Sequence, residues 1–372
     1  MIVEACGIKA EKKQPGKERL EFYECSKSIA GKVKRLRLDC YMGFKNIVLI
    51  GNGGSVNPLV TLSMPFLKGK RLFVVDTEEP GVLRRALSLN KKSTLVIAAS
   101  KSGETSSVVM PYCLFKGFKS IVLTGNAKGT LAKLGKEFGA KIIKVPGISG
   151  RFSGFTETCF VPLFLLGVDI ERVAEGGRRV SFEDAWRLAV FFHECEKKGF
   201  YDVFLSIYSR KLSGLYWMAS QMVHETIGKS RKGLTLYGGI GPETQHHTNQ
   251  RVFGGRKNTA ALLVYAKDSE KASLGHNVKA MYGGKPLGLL KGRDFNSLVL
   301  AEYLGTKNAT KECKVPCACI ETEISEENVG ELLMLLYLFS YYSARLRGMS
   351  PFDQPAVEKS KRITKEILFG GK

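Results

Sequence analysis

Residues 94–107 read TLVIAASKSGETSS, an apolar run that ends in a loop rich in small hydroxyl side chains. The apolar run predicts a buried strand, and the sequence SSVVMPYCLFKGF, which begins at Ser106, predicts a helix after the loop. A strand followed by a loop and a helix is the repeating unit of α/β folds with parallel sheets. In such sheets, ligands bind outside the carboxyl ends of the strands. This stretch therefore indicates both a fold class and the place where a ligand would bind.

The same alternation extends on both sides of this stretch. Strands are predicted at KNIVLIG and RLFVVD before it and at KSIVLTG and AKIIKVP after it, with helical segments between them. A helical region covers about residues 155–198, and the strand pattern then restarts with YDVFLSIY, KGLTLYG, TAALLVYA and VPCACIETEI. Nearly continuous apolar strands that alternate with helices predict an α/β fold whose sheets are parallel and covered on both faces. The first 25 residues are polar and basic, and we expect an arm or a short helix there.

The composition is that of a water-soluble globular protein, with 44% hydrophobic and 25% charged residues in a chain of 372. We expect no association with membranes, because there is no apolar run of about 18 residues and the N-terminus lacks the apolar centre of a signal peptide. The nine cysteines are scattered and odd in number, so reduced thiols in the cytoplasm are expected. Cys313, Cys317 and Cys319 form only a weak metal motif, since zinc sites need paired thiolates with partners elsewhere. We therefore predict no metal site.

The net charge of +22 leaves two kinds of partner open. One is a nucleic acid, which lysine and arginine would bind through phosphates. The other is a small anionic substrate that the field of the protein attracts. The basic residues are spread along the chain and accompany no nucleic-acid recognition motif, so we predict a small-molecule partner and no nucleic acid.

Three loops follow predicted strands and could bind an anion. The glycine loop, Gly51–Ser55, reads GNGGS, and its backbone amides could approach an anion at the start of a helix, although a tight turn alone would also explain it. The hydroxyl loop, Ser100–Ser107, offers more hydroxyl groups than an N-cap requires and lacks the spacing of a nucleotide P-loop. The arginine loop, Ser149–Ser153, reads SGRFS and places Arg151 among small residues. Seen alone, Arg151 could also be a surface residue in a turn.

The second half of the chain supplies titratable groups. Gln221 and Glu225 are four residues apart and share one face of a predicted helix that ends near Gly228. A carboxylate in the last turn of a helix lies at the unfavourable end of the helix dipole, which suits a general base better than a purely structural residue. His246 and His247 are adjacent and point to different faces, so at most one of them is expected to face a site.

Taken together, these segments resemble the glucose-6-phosphate isomerase family. The resemblance rests on GNGGS, SKSGET and SGRFS in the first half of the chain, and on QMVHETIGK (221–229) and GPETQH (241–246) in the second half. The strongest element is SPFDQPAVEKSK (350–361), which is similar to the family's proline-, glutamine- and lysine-containing motif. Two positions depart from the family pattern, because Ser149 and Ala356 stand where glycines are usual. The six motifs occur in the family's order and span nearly the whole chain.

The resemblance implies a fold of two sugar-isomerase-type αβα sandwich subdomains with mainly parallel five-stranded sheets. The implied organisation is an N-terminal helical arm at 1–40, a phosphate-binding subdomain at 41–180, a second subdomain at 181–350 and a C-terminal helix at 351–372. The implied catalytic residues are Glu225, His246, Lys361 and Arg151. The implied substrate-binding residues are Gly53, Gly54, Ser55, Ser100, Lys101, Ser102, Thr105 and Gln221.

The resemblance further implies interconversion of glucose 6-phosphate and fructose 6-phosphate through a cis-enediol, without metal or other cofactor. Glu225 would move the proton, Arg151 would stabilise the enediolate, and His246 with Lys361 would open the sugar ring. His246 would act across the interface of a homodimer. Two alternatives stay open, namely a bifunctional isomerase that also accepts mannose 6-phosphate and a sugar-phosphate-binding regulator without catalysis. The regulator could dispense with the four catalytic residues, all of which are present.

Overall fold

The computed structural model describes residues 1–8, 12, 18–276 and 278–370. Its strands form two five-stranded sheets and one two-stranded hairpin. The strands are β1 Ile2–Cys6, β2 Asn46–Ile50, β3 Arg71–Val75, β4 Thr94–Ala99, β5 Lys119–Thr124, β6 Lys141–Lys144, β7 Asp202–Tyr208, β8 Thr235–Ile240, β9 Thr259–Lys267, β10 Met281–Tyr282, β11 Lys285–Pro286 and β12 Cys317–Glu323.

Helices follow most of these strands, as an α/β fold requires. They are α1 Glu21–Ser26, α2 Ile29–Lys34, α3 Asn57–Ser63, α4 Pro80–Leu87, α5 Ser106–Cys113, α6 Thr130–Glu137, α7 Glu157–Leu166, α8 Ile170–Arg179, α9 Phe182–Lys197, α10 Gly214–Ile227, α11 Thr248–Gly254, α12 Phe295–Glu312, α13 Glu326–Leu346 and α14 Pro355–Phe369. Among the described residues, none of the helices combines the length and apolar character that crossing a membrane would need.

The first sheet has the order β3-β2-β4-β5-β6, and all of its strands are parallel. Every residue of β2 and β4 is buried, because helices cover both faces of the sheet. This confirms the fold class predicted from the apolar runs. The strand order reverses between β2 and β4, and the glycine loop and the hydroxyl loop follow these two strands.

The second sheet has the order β1-β12-β9-β7-β8, and four of its strands are parallel. The remaining strand, β1, pairs antiparallel with β12 at the edge. Here the expectation of an arm or short helix over the first 25 residues is wrong for Ile2–Cys6. The run IVEAC is short and lies in polar sequence, and only the open edge of β12, far away in the chain, provides its hydrogen-bonding partner.

One hydrophobic core joins the two sheets. The same buried cluster contains side chains of β2 and β4 from the first sheet, of β7 and β9 from the second, and of α13 between them. Residues 329–344 of α13 are all buried, so this mainly apolar helix is covered around its whole circumference. The two halves are therefore packed against each other, and the boundaries 1–40, 41–180, 181–350 and 351–372 stay a prediction.

Candidate active site

The glycine loop and the hydroxyl loop meet at the reversal of strand order in the first sheet. The chain leaves β2 for β3 on one side and returns to β4 on the other, which opens a crevice at the carboxyl ends of β2 and β4. The side-chain amide of Asn52 bridges the two loops, since it donates to the Ser107 hydroxyl at 3.0 Å and to the Asp76 carbonyl at 3.2 Å. The two loops thus form one continuous surface.

The glycine loop needs its glycines for conformation and for close approach. Gly53 has a φ of 51°, in the left-handed region that favours glycine. A Cβ atom on Gly54 would lie 1.9 Å from the carbonyl oxygen of Gly150, so glycine lets this loop pack on the arginine loop. The hydroxyl of Ser55 is used within the loop, where it accepts from the Asn52 amide at 3.1 Å. By contrast, the backbone amides of Gly53 and Gly54 are the first amides of a 3-10 turn and have no acceptor inside that turn.

Three hydroxyl groups converge in the hydroxyl loop. Ser100 Oγ lies 2.9 Å from Thr105 Oγ1, and Ser102 Oγ lies 3.4 Å and 3.5 Å from these two atoms. Thr105 occupies the N-cap position of α5, but its side chain makes no capping hydrogen bond. The first amides of α5 therefore stay available beside the three hydroxyls, and this arrangement suits an oxyanion such as a phosphate. Lys101 is exposed, and its Nζ lies 3.5 Å from the Gly147 carbonyl at the rim of the site.

Arg151 in the arginine loop is almost fully buried, with 1% of its surface exposed, and its Nε donates to Glu225 Oε2 at 3.0 Å. Its remaining N–H groups donate to two segments of the second half of the chain. The acceptors are the carbonyl oxygens of Glu225 (2.8 Å), Pro351 (3.1 Å) and Asp353 (3.0 Å), Oγ1 of Thr226 (3.4 Å) and Oε1 of Gln354 (2.6 Å). A guanidinium has five N–H groups, so all of them are engaged. Burial lowers the pKa of Arg151, and Glu225 opposes that change.

Glu225 lies in the last turn of α10 and is held from two sides. One carboxylate oxygen accepts from Arg151, and the other accepts from Gln221 Nε2 at 3.0 Å. Gln221 is itself fixed by Asn57 of α3, whose side-chain amide donates to Gln221 Oε1 at 2.8 Å. A Cβ atom on Gly53 would lie 3.0 Å from Gln221 Nε2, so the glycine loop packs directly on this group. The Glu225 side chain keeps 25% exposure and can reach a ligand in the crevice.

The segment before α14 is tied to the site by a second ion pair. Lys229 Nζ donates to the carboxylate of Asp353 and to the Ser350 carbonyl. The hydrogen bond from Lys229 holds the pKa of Asp353 below its usual value. Farther along α14, the ammonium of Lys365 is close enough to help lower the pKa of Glu104, although the hydrogen bonds from Thr130 are the larger cause.

The structure brings together the predicted residues of the glycine, hydroxyl and arginine loops with Gln221 and Glu225. It does not bring His246 or Lys361 into contact with them within the described chain. His246 is exposed at the end of a 3-10 turn, and Lys361 lies on the exposed surface of α14, where its Nζ pairs with Glu358 at 2.8 Å. Both side chains face solvent in the single chain.

Several residues of the site escape sequence reasoning that looks only for catalytic groups. Asn52 and Asn57 fix the loops and Gln221, Ser153 Oγ donates to the Gly54 carbonyl at 2.7 Å, and Gln354 accepts from Arg151. Asn52, Ser153 and Gln354 lie inside the sequence motifs quoted above. Their position next to predicted site residues could have identified them as part of the site. Among the described residues, no group of three or more His, Cys, Asp or Glu side chains is arranged to hold a metal ion.

Comparisons with known proteins identify chains of similar sequence and similar fold. No family model matches the chain. A glucose-6-phosphate isomerase from a strain of Thermus thermophilus is 29% identical over 358 residues, which cover 88% of this chain and 84% of that protein. Further bacterial and archaeal relatives with the same name, some marked as probable, are 24% to 28% identical over most of the chain.

Two solved structures share the fold. A hypothetical protein from Thermus thermophilus superposes with a TM-score of 0.84 at 25% identity, covering 94% of this chain and 90% of its own. A glucose-6-phosphate isomerase from Chlamydia trachomatis superposes with a TM-score of 0.74 at 18% identity, covering 95% of this chain and 76% of its own. The chain is therefore similar to glucose-6-phosphate isomerases over most of its length, and it shares the fold of a solved structure of that name.

Proposed function

We propose that this protein is an aldose–ketose isomerase that interconverts glucose 6-phosphate and fructose 6-phosphate, a step of glycolysis and gluconeogenesis. The observation that carries the proposal is the position of the Glu225 carboxylate. It is fixed by Arg151 and Gln221 and remains partly exposed in a crevice shared with the glycine loop. The relatives named for this reaction favour an isomerase over a regulator without catalysis.

In the proposed reaction, Glu225 removes the proton from C2 of the open-chain aldose and returns it to C1 of a cis-enediol. A base can serve both carbons only if it approaches from one face, and the two hydrogen bonds to its carboxylate fix that approach. Beside these two hydrogen bonds, 25% of the Glu225 side chain stays exposed and can reach a ligand. The proposed reaction therefore requires proton transfer by the positioned carboxylate of Glu225.

The developing charge on the enediolate needs donors, and each well-aimed donor typically contributes about 3 kcal/mol. The proposal that Arg151 supplies one requires it to exchange a present acceptor for the substrate oxygen, because its N–H groups are all engaged. The backbone amides of Gly53 and Gly54 require no such exchange. They are the first amides of the 3-10 turn in the glycine loop and have no acceptor inside that turn. We therefore assign these two amides to the substrate oxygens, with Arg151 aligning Glu225.

The phosphate is the part of the substrate that is not changed. Ser100, Ser102 and Thr105 would hold it together with the first amides of α5, and Lys101 at the rim would add a positive charge. Binding energy from this remote group positions the reacting carbons over the base. The hydroxyl of Ser55 supports the glycine loop and reaches the substrate only indirectly in this assignment.

Ring opening is assigned to His246 and Lys361. Because His246 is exposed and separate from Glu225 in one chain, we propose that it enters the site of a second copy in a homodimer. Lys361 would turn from Glu358 toward the sugar once the substrate is bound. The nine unpaired cysteines are consistent with our proposal of a cytoplasmic location.

Turnover of fructose 6-phosphate tests the proposal. Protein treated with a chelator is incubated with fructose 6-phosphate, and glucose 6-phosphate is measured over time. In heavy water, deuterium should appear at C2 of the product, because the transferred proton exchanges with solvent on the base. Absence of turnover, or product without deuterium at every pH tried, would contradict the proposed proton transfer. A parallel assay with mannose 6-phosphate measures how strictly the enzyme selects its substrate.

A further inference from the structure

Three cysteines line a cleft at the end of the second sheet opposite the carboxyl ends of its parallel strands. Cys6 ends β1, while Cys317 and Cys319 begin β12, and α12 covers the same face. The cleft encloses about 420 Å³. Its lining residues, which we call the thiol cleft, are Glu4, Cys6, Gly7, Lys307, Thr310, Lys311, Lys314, Val315, Cys317 and Cys319. None of these residues belongs to the proposed active site.

The register of β1 and β12 places two of these thiols opposite each other. Cys6 pairs directly with Cys317, and Glu4 pairs with Cys319. Residues directly opposite in antiparallel strands have Cα atoms about 4.5–5.5 Å apart, and their side chains point to the same face. Disulfides form at Cα separations of about 4.4–6.8 Å. The backbone therefore already holds Cys6 and Cys317 at the spacing of a disulfide.

The third thiol is close but is less suited to a stable bond with Cys317. The Sγ atoms of Cys317 and Cys319 are 3.7 Å apart. Alternate residues of a strand have Cα atoms about 6.6 Å apart, near the upper limit for a disulfide, so a bond between them would be strained and easily exchanged. The cross-strand pair is the better final product.

Polar neighbours distinguish Cys319 from Cys317. The contact with the Cys317 thiol, with 3.7 Å between the two sulfur atoms, is the main cause that lowers the pKa of Cys319. Lys307 adds a positive charge and is held in place by Glu4 at 3.0 Å and Glu321 at 2.9 Å. A thiolate is the nucleophilic form of cysteine, so the first reaction is assigned to Cys319, which lines the cleft with 4% of its surface exposed.

We propose that the thiol cleft is an oxidation site at which a hydroperoxide converts Cys6 and Cys317 into a reversible cross-strand disulfide. The Cys319 thiolate attacks the peroxide, an S–O bond forms, the O–O bond breaks, and an alcohol or water leaves. Cys317 then attacks the sulfenic sulfur and expels water, and Cys6 exchanges onto Cys317 and releases the Cys319 thiol. In total, two thiols and one hydroperoxide give one disulfide, one alcohol and one water.

The bond would fasten the edge strand to the sheet. Among the described strands, β1 pairs only with β12, and Cys6 is exposed at the end of this pairing. A disulfide between Cys6 and Cys317 closes a loop that contains most of the chain, and long loops lose the most unfolded-state entropy on closure. Oxidation should therefore raise the denaturant midpoint of unfolding.

Peptide mapping tests the proposal directly. The purified, reduced full-length protein is treated with a small excess of hydrogen peroxide, alkylated and digested with trypsin. We expect two thiols per chain to be lost and peptide 1–9 to be linked to peptide 315–345, with the link removed by dithiothreitol. Because Cys317 and Cys319 share one peptide, the variants Cys317→Ser and Cys319→Ser decide which of them is joined.

Cys6→Ser and Cys317→Ser should abolish the linked peptide, whereas Cys319→Ser should keep it but form it more slowly. Cys40→Ser, which removes another exposed thiol, is the matched control and should behave like the parent protein. The proposal is overturned if peroxide produces no linked peptide in the parent, or if the link persists in Cys317→Ser. A midpoint that rises on oxidation in the parent but not in Cys6→Ser would support the fastening of β1.

Discussion

The inner and outer parts of the proposed active site are built in different ways. In the inner part, Arg151, Glu225 and Gln221 are joined by hydrogen bonds of 3.0 Å, and Arg151 is buried. In the outer part, His246 and Lys361 are exposed and make no contact with this group in the described chain. One chain therefore positions Glu225 by itself, whereas the groups that we propose for ring opening need the substrate or a second chain to reach it.

The largest expected effect is that of Glu225→Gln, which removes the base but keeps a side chain of similar shape. Turnover should fall toward the upper end of the roughly 10²–10⁴-fold range for general bases. Sugar-phosphate binding should change little, because the hydroxyl loop is untouched. Steady-state kinetics and calorimetric titration with a non-reacting sugar phosphate measure the two quantities. Glu137→Gln, at an exposed carboxylate of α6, is the control, and equal loss of binding and turnover in Glu225→Gln would make Glu225 a structural residue.

Arg151→Ala should affect both stability and catalysis. Removal of the guanidinium leaves the Glu225 carboxylate and the Pro351 carbonyl without their donor, and breaking a buried pair typically costs about 3–5 kcal/mol. We also expect kcat to fall far more than KM rises, because the base loses its alignment. Denaturant unfolding and kinetics test this, with Arg84→Ala on the exposed face of α4 as control. A variant that unfolds normally and changes only KM would restrict Arg151 to substrate positioning.

The outer residues should show the opposite balance. His246→Ala and Lys361→Ala should lower turnover of the ring form by up to about 10²-fold. Their unfolding free energies should change by no more than about 0.5 kcal/mol, because both side chains are exposed. Mixing His246→Ala with Glu225→Gln should raise the activity above the average of the two separate variants if each site takes His246 from the other chain. If mixed dimers show no gain in activity, the proposal that His246 acts in the site of the other subunit is wrong.

Gly54→Ala tests the contact between the glycine and arginine loops. The added Cβ would meet the Gly150 carbonyl at 1.9 Å, and overpacking of this kind typically costs about 1–3 kcal/mol. Gly150→Ala is the matched control, since its Cβ would have no neighbour within 4 Å. Thermal unfolding of both variants measures the difference. Equal stability of the two would show that the loops separate without cost.

The smallest effect concerns pH and the ion pair that anchors the segment before α14. The pKa of Asp353 is lowered by Lys229, so the folded state favours the carboxylate. This contribution is present above the ordinary pKa of aspartate and is lost as the pH falls through the lowered value. Because the Asp353 side chain is 59% exposed, the change should be slight. As the pH is lowered below about 4, the thermal unfolding midpoint of Asp353→Asn should therefore fall slightly less steeply than that of the parent protein.

The apolar runs were sufficient to predict the parallel sheets, because a strand buried on both faces has few polar positions. The same reasoning failed at Ile2–Cys6, since an edge strand of five residues depends on a partner strand that is distant in sequence. The hydroxyl loop could also be located from the sequence, because it directly follows a strand. That the Thr105 side chain makes no capping hydrogen bond, although the residue stands at the N-cap position, became visible only in three dimensions.

The sequence by itself determined which residues are candidates for the site, because each motif occupies a short stretch of chain. Only the tertiary structure decided that every N–H group of Arg151 has an acceptor and that one of these acceptors is Glu225. The acceptors lie 74 and about 200 residues farther along the chain than Arg151. Only the tertiary structure separated His246 and Lys361 from that group. Local sequence fixes strand, loop and helix by short-range preferences, whereas the charge and hydrogen-bond partners of a buried side chain are set by packing across the whole chain.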